Sequence, residues 1–371
     1  AHNRLNMFAY KPAPIQVSWL GFFASTGLSF IDYFIADPIA IPKDKQFYFS
    51  EKIYYMPETR LCFTPPNDDI ATPNKLPLIR NQYITFGCFQ NLSKINDITL
   101  PLWSKILKAT EGKLLIKSPQ LDDPLIKLEF LEYLESFNIL EDKIILQGHS
   151  SREDYLNSYH NVDFMLDTFP YPGGTTTCEA LWMGVPTLTL TGNTLLERQG
   201  HSMLYNAGLE NWVCTTAEQY IQKAIDFSKQ IDYLSNLRQN LRQQVKLSPL
   251  MNSERFALNF EKALFGDDPI GVVQPSEEWT DELLNWFSKK DLERPRQLFK
   301  NSGYDWLVDG RAEGVLVGGC ITSLLHLRGT KYWPNFSGAI VFCETPESSA
   351  DISKGEPYSR VDAHLTDLVL S

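Results

Sequence analysis

The stretch VDFMLDTFPYPGGTTTCEALWMGVPTLTL, from Val162 to Leu190, constrains this chain more than any other. The apolar run from Val162 to Leu166 has the length and composition of a buried parallel strand. Asp167 to Pro172 leave it as a loop, and Gly173 and Gly174 allow a tight bend before Thr175, Thr176 and Thr177 open a short helix. Gly184 and Pro186 stop that helix, and TLTL begins the next strand. A helix opening of this kind presents unpaired backbone N–H groups and the positive end of a dipole, which suits a phosphate. Glu179, one turn further in, offers a carboxylate to ribose hydroxyls. The stretch reads as a nucleotide-diphosphate pocket, with a ligand-free cap and turn as the plainer alternative.

The surrounding chain repeats the same strand-helix grammar. From Tyr83 onward come a strand at Ile84 to Phe89, a helix capped by Asn96 or Asp97, and a strand at Lys113 to Ser118. A helix from Pro124 to Phe137, a strand at Lys143 to Gly148 and a helix from Ser151 lead into the opening stretch. A helix (Leu195 to Ala207), a strand (Trp212 to Cys214) and further helices reach about Phe265. Short links between alternating strands and helices predict an α/β, doubly wound parallel sheet with its crevice at the carboxyl ends of the strands. FQNLSK, after the first strand, and PGGTTT, after the fourth, both fall at such ends. Lys94 in FQNLSK is then placed to act as a point charge on a diphosphate; a solvated lysine capping a turn is its bland reading.

The flanks differ. Residues 1–82 hold short strands (Ile15 to Leu20, IDYFIADP, EKIYYMPE) and end in a Pro-, Asn- and Asp-rich linker, Cys62 to Pro77. Asp37, closing IDYFIAD, is a carboxylate at a strand end that reads as a structural cap. Residues 266–371 open on an acidic, Pro-containing join and carry GRAEGVLVGG, a helical ITSLLHL and a strand GAIVFCE. Three parts are therefore expected: 1–82, 83–265 and 266–371. At 371 residues the chain is long enough for them.

A net charge of −11 argues against a partner tracked by its phosphate backbone, so nucleic acid is not expected. Six scattered cysteines, with no C-x-x-C pair and no metal-like spacing to His, predict reduced thiols in the cytoplasm and no metal site. Trp19 to Ala36 is apolar but carries Gly, Ser, Thr and Asp, and reads as core, not as a membrane span. The start, AHNRLNMF, has no signal peptide and looks cut from something longer.

The runs KPAPIQVSWLGFFASTG, IDYFIADP, ITFGCFQNLSKI and SSREDYLNSYHNVDFMLDTFPYPGGTTTCEALWMGVP together resemble the catalytic region of the O-linked N-acetylglucosamine transferase and SPINDLY family. The resemblance covers about residues 1–265 and implies a GT-B glycosyltransferase, usually preceded by tetratricopeptide repeats. It implies inverting sugar transfer, without a metal, from a nucleotide donor to Ser or Thr hydroxyls of proteins, with UDP-N-acetylglucosamine preferred by family frequency. Matched position by position, Asn91 and Lys94 become the phosphate-facing pair, with Lys94 the leading catalytic residue. Thr175 and Thr176 bind the diphosphate through backbone groups, flanked by Gly173, Gly174 and Thr177. Glu179 holds the ribose and Arg152 lies beside the base. Tyr155 stands where animal members have His, and Gly174 where many members have His. The family's Gly-His-Thr segment, which precedes the residues matching AHNRL, is absent, and His2 does not replace it.

The tail, through PIGVVQPSEEWTDELL, GRAEGVLVGGCITSLLHLRGTKYWPNF and GAIVFCE, resembles the latter part of LD-carboxypeptidase and microcin-immunity serine peptidases. Glu344 matches the glutamate of that family's Ser, Glu and His relay, and Glu313 reads as structural. The segment with the nucleophilic Ser is missing and the chain stops before the His, so no peptidase chemistry is expected of Glu344 alone. Three readings follow: a glycosyltransferase, incomplete in this chain; a non-catalytic nucleotide-sugar-binding or interaction module; and a truncated peptidase-like fragment.

Overall fold

The computed structural model describes residues 5–11, 15–21, 23–66, 70, 75–265, 316–320 and 340–344. The chain divides into two compact units, Ala13–Val272 and a second made of Ala1–Pro12 with Val273–Ser371. In the first unit, β1 (Val17–Ser18), β2 (Tyr33–Ala36) and β3 (Lys52–Tyr55) form a small parallel sheet in that order. The strand expected over Ile15 to Leu20 shrinks to two residues because Leu20 turns to φ 59°, a left-handed conformation no strand accommodates. At the end of β2, Asp37 is fully buried and acts as the expected cap. One carboxylate oxygen accepts from the amides of Ile39 and Ala40, the other from the Arg60 amide and the Ser202 hydroxyl.

The Pro-rich linker closes on α1 (Pro77–Asn81), which starts with proline at its first position. The buried Asp163 carboxylate accepts from the Leu78 and Thr85 amides and so ties α1 to the next strand. From there β4 (Thr85–Cys88), α2 (Leu100–Thr110), β5 (Lys113–Lys117), α3 (Pro124–Ser136), β6 (Ile144–Gln147), α4 (Arg152–Ser158) and β7 (Phe164–Leu166) follow in alternation. They continue as α5 (Thr175–Trp182), β8 (Thr187–Leu190), α6 (Gln199–Asn206), β9 (Val213–Cys214), α7 (Ala217–Ser228), α8 (Ile231–Lys246) and α9 (Ser253–Phe265). Asn96 does cap a turn, accepting from the Ile98 and Thr99 amides, and α2 starts at Leu100 beyond it.

The six strands form one parallel sheet in the order β6-β5-β4-β7-β8-β9, as the α/β expectation requires. In such an order the crossovers reverse direction between the first and fourth strands, and the crevice opens there. Here those strands are β4 and β7, paired at Phe86 with Phe164 and Gly87 with Met165. Gly87 is required by that pairing: a Cβ there would sit 2.6 Å from the Met165 sulfur and 2.7 Å from Val162. The core beneath is dense in fully buried aromatics, including Trp103, Trp182, Trp212, Phe86 and Phe164.

In the second unit β10 (Leu316–Cys320) and β11 (Ile340–Glu344) pair in parallel. Glu344 is thus the last residue of β11, while Glu313, His2 and the helical ITSLLHL lie outside the described residues. Among the described residues no helix is long and apolar enough to cross a membrane.

Candidate donor site

Two loops meet where β4 and β7 end side by side. The β4 loop makes a short 3-10 turn, Leu92–Lys94, and Asn91 caps it by accepting from the Ser93 amide. The Oδ1 of Asn91 serves that cap, and the residue before it spans to the neighbouring loop. The Gln90 amide nitrogen donates to the Thr176 hydroxyl at 2.6 Å, and its carbonyl oxygen accepts from the Lys94 amine at 3.3 Å. Lys94 also donates to the Pro172 carbonyl at 3.1 Å and lies 3.7 Å from the centre of the Tyr171 ring. Lys94 and the opening of α5 therefore share one side of the crevice. Burial pushes the Lys94 amine below the ordinary lysine value, opposed chiefly by the negative charge of Asp167.

The β7 loop folds as its glycines dictate. A Cβ on Gly173 would stand 2.3 Å from the Thr177 hydroxyl and 2.5 Å from the Gln90 amide, so only glycine fits. Gly174 is the residue before α5, with φ −119° and ψ −96°. Its carbonyl accepts from Thr177 and Cys178, whereas the amides of Gly174, Thr175 and Thr176 donate to no acceptor among the described residues. Three backbone donors at a helix opening, with a lysine beside them, suit an anion. The Thr177 hydroxyl is buried with no hydrogen-bond partner among the described residues, and Thr177 lines a small pocket with Gln90, Thr176, Cys88 and Asp167.

The remaining expected residues form a second cluster one turn along α5. Glu179 is buried; one carboxylate oxygen meets Arg152 at 2.5 Å and the other accepts from the Tyr155 hydroxyl at 3.0 Å. Tyr155 packs on Phe89, its hydroxyl lies 3.1 Å from that of Tyr159, and Tyr159 donates to the Thr176 carbonyl. Burial and the Glu179 charge push the Tyr155 phenol well up, so it stays protonated and serves as a donor.

Sequence reasoning passed over two residues of this site, Gln90 and Asp167. Asp167 follows β7 and its side chain accepts from the amides of Gly173 (2.7 Å) and Thr168 (3.1 Å) and from the Thr189 hydroxyl (2.8 Å). Its signal in the sequence is an acid directly after an apolar strand, where a buried carboxylate needs several donors. Among the described residues no three His, Cys, Asp or Glu side chains are grouped to hold a metal.

The model of "Glycosyl transferase family 41" matches residues 1–64 and 64–260, and that of the "LD-carboxypeptidase C-terminal domain" matches residues 313–371. The chain is 37% identical over 268 residues to the probable UDP-N-acetylglucosamine--peptide N-acetylglucosaminyltransferase SPINDLY of Solanum lycopersicum, covering 70% of this chain and 28% of that protein. It is 29% identical over 273 residues to the corresponding SEC protein of Arabidopsis thaliana, covering 71% of this chain and 27% of that protein. It thus spans under a third of the length of these curated relatives. Among solved structures, an O-GlcNAc transferase mutant from Thermobaculum terrenum superposes with a TM-score of 0.65 at 33% identity, over 70% of this chain and 49% of that one. Fold, sheet order and sequence match agree, and the chain belongs to glycosyl transferase family 41.

Proposed function

We propose that residues 83–265 are the donor lobe of a glycosyltransferase that moves a sugar from a nucleotide, UDP-N-acetylglucosamine foremost, to Ser or Thr hydroxyls of proteins. The observation that carries this reading is that Gln90 and Pro172 tie Lys94 to the opening of α5, Gln90 through the Thr176 hydroxyl. When the bond between sugar and diphosphate breaks, negative charge grows on the leaving oxygen. A fixed ammonium and oriented N–H groups stabilise that charge more than they stabilise the bound donor, which lowers the barrier. In this reading Lys94 supplies the charge, Thr175 and Thr176 supply the backbone donors, and no metal is called for. Arg152, Tyr155 and Glu179 hold the nucleoside, with Glu179 toward the ribose and Arg152 toward the base.

Calorimetric titration of UDP and of GDP into the chain tests the reading. UDP is expected to bind, to bind better than GDP, and to lose about 10- to 100-fold in affinity in Lys94→Ala, the range for a hydrogen bond to a charged group. Binding of neither nucleotide, or unchanged UDP binding in Lys94→Ala, overturns it.

A further inference from the structure

At the centre of the donor site lies a buried acid to which the proposed reaction assigns no step. Asp167 is 3% exposed, and every donor to its carboxylate is uncharged: the Gly173 and Thr168 amides and the Thr189 hydroxyl. Its own carbonyl accepts from the Tyr220 hydroxyl, which fixes the backbone at the end of β7. The Gly173 amide is held by Asp167, and the Gly173 carbonyl by the Gln199 side chain at 3.0 Å. The peptide groups on both sides of Gly173 are therefore fixed before α5 opens.

Lys94 comes to the same turn from the β4 loop, donating to the Pro172 carbonyl, and feels the negative charge of Asp167. Its direct partners, the Gln90 and Pro172 carbonyl oxygens and the Tyr171 ring, carry no formal charge. The other titratable group facing it is the Cys88 thiol on β4, which burial pushes far up and keeps neutral. Of the two, only Asp167 is charged at neutral pH.

We propose that Asp167 is a positioning residue of the donor site, fixing the Gly173 amide so that α5 opens toward the diphosphate and setting a negative charge in the turn whose Pro172 carbonyl holds Lys94. The inference rests on the donor-site reading above and adds a residue that does not touch the donor. Its charge has two consequences. Removing it lets the half-buried Lys94 amine lose its proton at lower pH, and protonating it loosens the turn.

The test is donor affinity against pH, from 5 to 10, with UDP-N-acetylglucosamine as the probe. UDP itself is unsuitable because a terminal phosphate takes up a proton near pH 6. Asp167→Asn keeps an acceptor for Gly173 and Thr168 but removes the charge. In this variant the alkaline fall in affinity is expected to begin at lower pH than in the wild-type chain. Lys94→Arg should abolish the part of the fall that belongs to Lys94, with or without Asp167→Asn; a fall common to all the chains belongs to the base. Thr189→Val, which removes one donor to Asp167, covers the case in which Asp167→Asn does not fold. It is expected to move the acid limb to higher pH. An alkaline limb unmoved in Asp167→Asn, or, if that variant does not fold, an acid limb unmoved in Thr189→Val, overturns the inference while leaving the donor site standing. Failure of the wild-type chain to bind UDP-N-acetylglucosamine at any pH overturns the donor-site reading itself.

Discussion

The amine of Lys94 and the hydroxyl of Thr176 are joined through one side chain: Gln90 accepts from the first at 3.3 Å and donates to the second at 2.6 Å. Gln90 and Thr176, 86 apart in sequence, are thereby locked at the junction of β4 and β7. Gln90→Leu keeps most of the volume and breaks both bonds. UDP affinity should fall about 5- to 10-fold, as expected for loss of about 1 kcal/mol of neutral hydrogen bonding. Calorimetry on Gln90→Leu and Lys94→Ala should rank the lysine variant as the weaker binder; the reverse order removes the assignment of the site's charge to Lys94.

Gly173 has no room for a methyl group. Gly173→Ala forces a Cβ to 2.3 Å from the Thr177 hydroxyl and 2.5 Å from Gln90, so the turn must move. A loss of about 1–3 kcal/mol in denaturant unfolding is expected, together with loss of UDP binding. Gly174→Ala, whose Cβ would stop 3.2 Å from Gln199, should be the milder of the two.

Phosphate and nucleoside are held by different groups, so they separate by mutation. Tyr155→Phe removes the hydroxyl that donates to Glu179 and lies 3.1 Å from that of Tyr159. Uridine affinity should fall about 3- to 10-fold, less than the full worth of a hydrogen bond to a charged group because Glu179 keeps Arg152, while inorganic pyrophosphate binds as before. Equal losses for both probes would show that Tyr155 acts on the whole loop.

The acid at the site centre costs stability. Burial raises Asp167 and Asp163 from the ordinary 3.8 to about 6, despite the hydrogen bonds each accepts. Between about pH 4 and pH 6 the folded chain holds protons on these groups that the unfolded chain has released, so their contribution to stability declines as pH rises. His201, lowered to about 4 by burial and Arg198, acts in the opposite sense over about pH 4 to 6.5. Comparing Asp167→Asn with wild type isolates one group. The variant should be the more stable by about 1–3 kcal/mol at pH 7.5, and the gap should close toward pH 4. A variant less stable at pH 7.5 would mean that the carboxylate's hydrogen bonds outweigh its desolvation.

Much of this fold was legible because local chemistry specified it. The apolar run before Asp167, the Gly173–Gly174 pair and the Thr175 opening place β7, its turn and α5 within a residue or two. Ser151 likewise caps α4 through the Asp154 amide, as a helix starting there requires. What stayed hidden depends on which strands are neighbours. Gln90 looks like any polar residue after a strand until β4 and β7 pair. Asp167 read as the start of a loop because its donors, Gly173 and Thr189, are brought in by the bend and by β8. The pairing of Arg152 with Glu179 joins a residue on α4 to one on α5, a distance no spacing rule covers.

The most direct test is a crystal structure of the chain with UDP. The account predicts the diphosphate at the opening of α5, its oxygens within about 3 Å of the Thr175 and Thr176 amides and of the Lys94 amine, with the ribose toward Glu179. A diphosphate bound elsewhere, or one at α5 with the Lys94 amine turned away, would contradict it.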